Sequence, residues 1–583
     1  MELEPANSPK PAERPGDVRE LSLRAVIVGL IVAAIMGSAY PYVVLKLGFG
    51  PNVSVVAAFF GFIFLGLFSK TYNRWENNLV QTAGTAAAQT SFMCVLLAAF
   101  DMLVADGALP LAALPTPPQC FAWLTAAGLL GVLLAVPMRR HFVVDEKLPY
   151  PDGIAAAETV MVLDSRGREA GKATRILLIG ALLSAGLAAL TEDFLLVKLF
   201  AGVMAVGPQL VQAMGVGINW SLLSAGSGML VGLRINTSML LGTILAWVIA
   251  PYILLERGWV AEGKRAAVLF WVMWPATGML VCGGLTGLLL RWKVLARTFA
   301  NLRNAAVADD DFPLRWVAPG CLAAAAALVV LQKSFFGIAP WITVVAILLS
   351  VPLMLVGLRV LGETNWGPIS ALSNLMQGIF GALVPGSITV NMFASGTTGT
   401  IAADSEALMQ DYKAGHIIGS SPRRLTYMQL MATPVGALAV SYMYPLLRET
   451  YGIVGDQAQL SSPTSRRWAG FAEILSKGFE ALPPYALHAL VAGAVLGVIL
   501  TVLESGRSKK WVPSPTGLGI GMLVSGSVII TMFLGSVIET IWRKSSPKSC
   551  ALYMTPLASG LIAGEAILAV IVPLLDVAGL LKK

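Results

Sequence analysis

Long apolar runs alternate with short polar connections over nearly the whole chain. A helix needs about 20 predominantly apolar residues to cross the hydrocarbon core of a bilayer. Runs of that order lie near 25–46, 52–68, 79–104, 120–138, 174–191, 236–255 and 266–290, and again near 316–332, 340–360, 386–410, 425–447, 484–503, 516–540 and 551–575. This pattern predicts an all-α fold and a polytopic integral membrane protein.

Three further stretches are apolar but interrupted by Gly, Pro and polar residues: 151–163, 194–233 and 367–385. Irregular backbone at membrane depth is tolerated only where it is buried in protein or lines a water-filled cavity. We therefore expect short spans, re-entrant turns or broken helices there. With them, the chain should have roughly 14 to 17 membrane segments.

A connection rich in Arg and Lys at 291–315 divides the membrane region in two. Gly50-Pro51 on one side and Gly367-Pro368 on the other both precede apolar runs. Many transporters are built from repeated halves, although so short an echo in a Gly- and Ala-rich chain is also compatible with chance. The predicted organisation is a disordered tail (1–20), a first membrane half (21–290), a linker (291–315) and a second, pseudo-repeated half (316–583).

Charge sets the expected orientation. The 583 residues are 56% hydrophobic and 13% charged, with a net charge of +8, whereas a soluble protein has about 25% charged residues. The positive residues lie in short connections and at the termini, which favours a cytoplasmic membrane surface over nucleic acid. We expect a multi-pass protein of the cytoplasmic (inner) membrane with both termini inside, although Arg543 and Lys544 fall on the outer side in this count.

Enzymatic and metal signatures are missing from the sequence. The five cysteines have no CxxC spacing, and the three histidines have no metal-ligand spacing. Phosphate-binding loops, HExxH and GxSxG motifs do not occur. The sequence therefore predicts no cofactor, no resident metal and no catalytic residue, and it gives little support to an ATP-driven pump.

A polar stripe interrupts one apolar region at ENNLVQTAGTAAAQTSF, from Glu76. Asn78, Gln81, Thr85 and Gln89 recur at helical spacing and share one face. Such side chains are costly against lipid, so the stripe must face protein or water. It is either a helix-packing surface or the lining of a substrate path.

A second polar segment, NMFASGTTGTIAADSEALMQDYKAG, begins at Asn391. Thr397 and Asp404 follow among small residues. An ionisable group inside a membrane is a functional hypothesis by default, and Asp404, with Glu76 as the other candidate, is the predicted proton-coupling group. Further along, the charges from Glu406 to Lys413, with Asp411 among them, are expected to be solvated at the cytoplasmic end.

Two of the interrupted stretches carry polar residues beside proline. LPYPDGIAAAETV contains Asp152, and GETNWGPISALSNLMQGIFG contains Asn365. Pro and Asp suit a helix N-terminus. The free N–H groups of such a helix can hold an anion.

Several stretches together resemble the oligopeptide transporter (OPT) family, which includes the yellow stripe-like metal-chelate transporters, and a prokaryotic-type member in particular. The resemblance rests on RELSLRAVIVGL, ENNLVQTAGTAAA, LPYPDGIAAAE, GETNWGPIS, DSEALMQDYKAGHIIGSSPRR, PSPTGLGIGM and SGLIAGEAIL, in this order along the chain. It implies two-fold repeated helical bundles with a cavity between the halves. It also implies a proton-driven importer of small peptides or metal chelates. Asp152, Tyr40 and Pro41 depart from the pattern expected of the family.

The leading hypothesis is a proton-coupled symporter, with small peptides or metal chelates, protons and the lipid bilayer as partners and a homodimer left open. Its substrate-binding residues are predicted to be Asn78, Gln81, Thr85, Gln89, Asn365, Asn391 and Thr397. One alternative is a passive channel for small polar solutes. The other is an intramembrane enzyme in which Asp152 and Asp404 share a proton.

Overall fold

A computed structural model describes residues 19–47, 53–68, 72–164, 170–191, 202–290, 311–454, 460, 462–476, 482–505 and 512–577. The helices are α1 Leu23–Leu47, α2 Ser54–Phe68, α3 Arg74–Ser91, α4 Cys94–Ala105, α5 Pro117–Ala135, α6 Pro151–Asp164, α7 Ala170–Thr191, α8 Gln209–Ala213, α9 Leu222–Val231, α10 Leu233–Thr243, α11 Ala250–Glu256, α12 Arg265–Leu290, α13 Leu314–Phe336, α14 Pro340–Thr364, α15 Ile369–Leu383, α16 Ile388–Ile418, α17 Pro422–Tyr451, α18 Pro463–Ser476, α19 Ala486–Glu504, α20 Pro515–Leu523, α21 Gly526–Ser545 and α22 Pro547–Val577. Most of the predicted tail and linker lie outside the described residues.

Irregular elements are few in the described part of the chain. A 3₁₀ turn at Leu111–Ala113 precedes α5, and π-helical turns occupy Arg140–Asp145 and Ile244–Ile249. The strands Val203–Ala205 and Gly217–Asn219 pair antiparallel. Within these ranges, 11 helical segments are long and apolar enough to cross a membrane, and four shorter apolar helices accompany them. The predicted all-α, polytopic membrane fold is confirmed.

Two of the apolar runs are broken rather than continuous. The run near 79–104 divides into α3 and α4 at Phe92 and Met93, where the backbone makes a turn. The run near 516–540 divides at Val524, whose extended backbone ends α20 before α21 begins. An apolar pattern cannot locate such breaks, because a turn buried in protein needs no polar sequence.

The helices group into two bundles, each built from both sides of the predicted linker. In the first bundle, α1–α5 pack with α13 and α15–α18. In the second, α7 and α9–α12 pack with α19–α22. Each bundle therefore joins distant parts of the chain, and the division into sequence halves remains a prediction about evolutionary repeats rather than about packing.

Two helices connect the bundles. The helix α6 packs on α2, α3 and α16 of the first bundle and on α22 of the second. The helix α14 packs on α13, α15 and α16 on one side and on α12 and α20 on the other. The segment 151–163 and the approach to 367–385, both predicted to be interrupted, therefore lie between the bundles.

The polar helix α16 forms the centre of the first bundle. Its 31 residues correspond to about 46 Å, and nearly all of them are buried. Asp411 and Lys413 are only 0% and 2% exposed, and Glu406 is 4% exposed. The expectation that these charges are solvated is wrong, because α3, α6 and α17 surround this end of the helix.

Glycines allow the closest helix contacts in the second bundle. A Cβ at Gly228 of α9 would overlap the carbonyl oxygen of Met532, and one at Gly535 of α21 would overlap that of Ala225. Small residues at such crossings let backbones approach and pack in the membrane. The contact fixes α9 against α21, and both contribute side chains to the candidate site described below.

Candidate functional site

The predicted polar stripe lies in the contacts of α3 with neighbouring helices. The amide of Gln81 donates to Asp411 Oδ1 at 2.6 Å, and Asn78 donates to Ser420 Oγ at 3.0 Å. Thr85 Oγ1 lies 3.3 Å from Ser54 Oγ of α2. These side chains are buried, so they join α3 to α2 and to the α16 region.

Several polar atoms of the stripe and of its partner Asp411 have no hydrogen bond to a described residue. Within the described residues, Asn78 Oδ1, Gln81 Oε1 and Asp411 Oδ2 are buried without a hydrogen-bond partner. Gln89 is only half-buried, at the far end of the stripe. Unsatisfied buried polar groups are rare in folded proteins and call for a specific explanation.

Asp404 lies where α16 meets α3, α5 and α17. Its Oδ1 accepts a hydrogen bond from Thr90 at 2.7 Å, and Thr433 Oγ1 lies 3.5 Å away. Its Oδ2 is buried without a hydrogen bond to any described residue. A Cβ at Gly128 of α5 would lie 2.9 Å from that oxygen, so the glycine leaves the space that the carboxyl group occupies.

The N-terminal part of α16 holds the two other predicted residues of that helix. Thr397 Oγ1 accepts from Trp123 Nε1 at 3.1 Å and from Gln332 Nε2 at 2.8 Å. Asn391 is 0% exposed, and both polar atoms of its amide lack a hydrogen-bond partner in the described structure. Thr397 Oγ1 thus accepts two hydrogen bonds, whereas the amide of Asn391 has none within the described residues.

Glu76 is held by a cluster of donors at the start of α3. Arg24 donates to its two oxygens at 2.8 and 2.6 Å, and Ser22 Oγ also contacts it. Glu76 and Asn73 form a reciprocal capping box, in which each side chain accepts from the other's backbone N–H. These contacts are those of a helix cap that is paired with an arginine.

We expect Glu76→Gln to lower the free energy of unfolding by roughly 1–3 kcal/mol, because the substitution removes the acceptor of a charge-assisted pair. Any dependence of transport on a proton gradient should persist in the folded fraction, because these contacts are those of a helix cap. Denaturation and uptake measured on one preparation test this expectation. Loss of uptake in fully folded Glu76→Gln protein would instead support the coupling role predicted for Glu76.

The two interrupted stretches meet between the bundles. Asn365 Nδ2 donates to Asp152 Oδ1 at 2.7 Å, and the backbone N–H of Asp152 donates to Asn365 Oδ1 at 3.1 Å. Tyr150 fixes the approach, since its backbone N–H donates to Gly362 O at 3.1 Å and its hydroxyl to Leu358 O at 2.8 Å. The start of α6 is thereby tied to the end of α14.

Residues of the second bundle complete this arrangement. Asn365 Nδ2 also lies 3.4 Å from Ser227 Oγ of α9, and Trp366 Nε1 lies 3.4 Å from the sulfur of Met532. We call Asp152, Ser227, Asn365 and Trp366 the inter-bundle cluster. Asp152, Asn365 and Trp366 are each only partly buried although they lie between the bundles. Of the predicted substrate residues, Asn365 therefore belongs to an accessible polar cluster.

Sequence reasoning did not anticipate Ser227, because a serine in a small-residue segment carries no functional signal before the fold places it. It also gave no role to Glu406, whose Oε1 is buried and unpartnered within the described residues. A Cβ at Gly357 would lie 2.8 Å from that oxygen. Gly357 within α14 and Gly367 in the break after it both leave space for the carboxyl group of Glu406.

Asn365→Ala should weaken substrate binding and lower stability together. The alanine removes both hydrogen bonds to Asp152, each worth about 1 kcal/mol, and it must adopt the left-handed backbone of position 365, where φ is 64°. Asn365→Gly removes the same amide without that strain. If the amide matters for binding, both variants should lose affinity in a titration of purified protein, and alanine should melt lower. Equal affinity of Asn365→Gly and the unsubstituted protein would contradict the assignment.

An apolar groove of about 570 Å³ lies elsewhere, between α5 and α13. It is lined by Phe121, Leu129, Trp316, Ala324 and Leu331 among others. Its lining is almost entirely apolar, with the hydroxyl of Thr125 among the few polar groups. Among the described residues, no group of three or more His, Cys, Asp or Glu side chains could hold a metal ion.

The fold and the inter-bundle cluster define a class of protein: a multi-pass α-helical membrane transporter with polar, partly accessible side chains between two bundles. The intramembrane enzyme is not supported, because Asp152 and Asp404 are bonded to different residues. The chain belongs to the OPT oligopeptide transporter family, which matches residues 20–575.

The curated relatives are transporters as well. A putative oligopeptide transporter of Saccharomyces cerevisiae is 24% identical over 95% of this chain and 96% of its own length. A metal-nicotianamine transporter of Arabidopsis thaliana is 23% identical over 94% of this chain and 92% of its own length. A probable metal-nicotianamine transporter of Oryza sativa subsp. japonica is 25% identical over 97% and 93%. The predicted resemblance to the oligopeptide transporter family and the predicted non-enzymatic class are confirmed.

Proposed function

We propose that the protein is a proton-coupled symporter that imports small peptides or metal chelates across the cytoplasmic membrane, with both termini inside. The names of its relatives support this range of substrates, since one is described as an oligopeptide transporter and others as metal-nicotianamine transporters. The Lys and Arg residues of the connections support the orientation.

The observation that carries the proposal is the position of the inter-bundle cluster. Alternating access in many transporters moves one bundle against another around a site formed by broken helices. Here the start of α6 and the break after α14 meet between two bundles and are bound to each other through Asp152 and Asn365. A substrate that replaces or extends these hydrogen bonds would couple its own binding to the relative position of the bundles.

Asp404 is the proposed proton carrier. Ionising a buried carboxyl group without a paired cation is costly, and Asp404 accepts hydrogen bonds from hydroxyl groups rather than from cations. A proton on Oδ2 would remove the charge. Because Thr90, Gly128 and Thr433 come from three different helices, a change of protonation would act on the packing of all three.

Reconstituted protein should accumulate substrate in vesicles when a proton gradient is imposed, and a protonophore should abolish the accumulation. Symport predicts this result because the proton's downhill movement drives the substrate uphill. The measurement is time-resolved uptake of a radiolabelled tripeptide and of an iron–nicotianamine chelate, with empty vesicles as the control. Equilibration without accumulation would favour the passive channel.

A further inference from the structure

One face of α16 carries three polar side chains that have no role in the contacts above. Glu406, Gln410 and Lys413 are four and three residues apart, so they lie on one side of the helix. They are only 4%, 5% and 2% exposed. The structure gives none of these three side chains a hydrogen bond or ion pair with any residue that it describes.

This face looks towards both interrupted segments. A Cβ at Gly367, in the break between α14 and α15, would overlap Glu406 Oε2. A Cβ at Gly153, in the first turn of α6, would lie 3.0 Å from the Cβ of Lys413. Gly153 follows Asp152 in the chain, so the face runs beside the inter-bundle cluster from the break to the start of α6.

The two charges on this face cannot neutralise each other. The Cα atoms of Glu406 and Lys413 are about 10 Å apart along the helix, and the described structure has no ion pair between their side chains. Lys147, which lies outside α16, repels Lys413. Buried unpaired charges are costly, and an external partner for each would remove that cost.

We propose that this face of α16 binds a zwitterion, with Glu406 taking the substrate's ammonium group and Lys413 its carboxylate. Gln410, between them, would donate to or accept from an amide. An extended chain advances about 3.3–3.6 Å per residue, so a separation of about 10 Å matches the two ends of a tripeptide. The inference rests on the proposed transport function. Of the two proposed kinds of substrate, small peptides and metal chelates, it favours a peptide with both ends free.

The test compares free and blocked ligands on purified full-length protein. The probes are trialanine, its N-acetyl form, its C-terminal amide and iron–nicotianamine, each titrated while the melting temperature is followed, since a ligand that prefers the folded state raises it. We expect the N-acetyl form and the amide to bind roughly 10- to 100-fold more weakly than trialanine, because each leaves one buried charge unpaired.

Two variants test which side chain binds each end of the peptide. Glu406→Gln should bind trialanine and its N-acetyl form equally, yet still reject the amide. Lys413→Gln should show the opposite selectivity. Each ratio is measured within one variant, so a general loss of stability does not imitate it. Glu262→Gln and Lys264→Gln serve as matched controls, because that pair is exposed at 60% and 77%, and both should keep the original ratios.

Three results would overturn the inference: indifference of the unsubstituted protein to blocking, unchanged ratios in both variants, or binding of iron–nicotianamine but not of trialanine. The proposed symport is judged separately by gradient-driven uptake. If the protein distinguishes free from blocked peptides but its uptake does not depend on the gradient, the zwitterion site stands and the proton coupling is rejected. If uptake depends on the gradient but binding does not distinguish these peptides, the coupling stands and the zwitterion site is rejected.

Discussion

Asp404→Asn is expected to abolish gradient-driven accumulation while leaving a folded protein. The amide oxygen can still accept the hydrogen bond from Thr90, which Asp404 Oδ1 accepts at 2.7 Å. The amide nitrogen would occupy the space beside Gly128, where Asp404 Oδ2 has no hydrogen bond to a described residue to lose, so the substitution should cost less than about 2 kcal/mol. An amide cannot release a proton at neutral pH, so the substrate could bind without coupling to the gradient.

The measurement has two parts, performed on the same vesicles. Accumulation under an imposed gradient should fall to the level of empty vesicles, whereas exchange of internal for external labelled substrate should continue. Asp106→Asn, at an exposed position at the end of α4, is the matched control and should accumulate substrate normally. Normal accumulation by Asp404→Asn would remove Asp404 from the coupling role.

Gly228→Leu should be among the most destabilising substitutions in the second bundle. Any Cβ at this position would overlap the backbone oxygen of Met532, and a backbone atom cannot rotate away as a side chain can. Overpacking of a well-packed interior typically costs about 1–3 kcal/mol. Separation of α9 from α21 would also move Ser227 and Met532 away from Asn365 and Trp366, so transport should be lost with stability.

Gly186→Leu is the matched control, because it replaces a helical glycine that lies at no close contact with another described helix. This glycine also lies within a helix, α7, but a Cβ there would meet nothing within 4 Å. Its substitution should leave melting temperature and uptake nearly unchanged, since leucine is also a better helix former than glycine. A Gly228→Leu protein that melts like Gly186→Leu would show that the α9–α21 contact is not tight.

The membrane architecture could largely be predicted from the sequence, because each span needs a long run of apolar residues where it crosses the lipid. Apolar runs of about 20 residues predicted α1, α5, α12, α13, α14 and α19 without knowledge of their neighbours. The break within 79–104 could not be predicted, because Phe92 and Met93 are apolar and give no turn signal. A turn that protein covers leaves no trace in hydropathy.

The candidate site was only partly predictable. The sequence singled out Asn365 and Asp152 as members of interrupted stretches, and the structure bonds them to each other. It predicted an equivalent role for Thr397, which is instead engaged by Trp123 and Gln332. Helical spacing identifies a shared face, but it does not say whether that face meets another helix or a crevice.

By itself the sequence determined that the protein spans a membrane, that it has the family's ordered motifs, and which helices carry polar groups. Only the tertiary structure decided that distant segments interleave into two bundles, and that the charged end of α16 is enclosed rather than solvated. The physical reason is that hydropathy reports the cost of facing lipid, which is local to each helix. The neighbours of a buried polar face depend on packing between segments that are far apart in the chain. Asp152 and Asn365, which form a hydrogen bond, are separated by 213 positions.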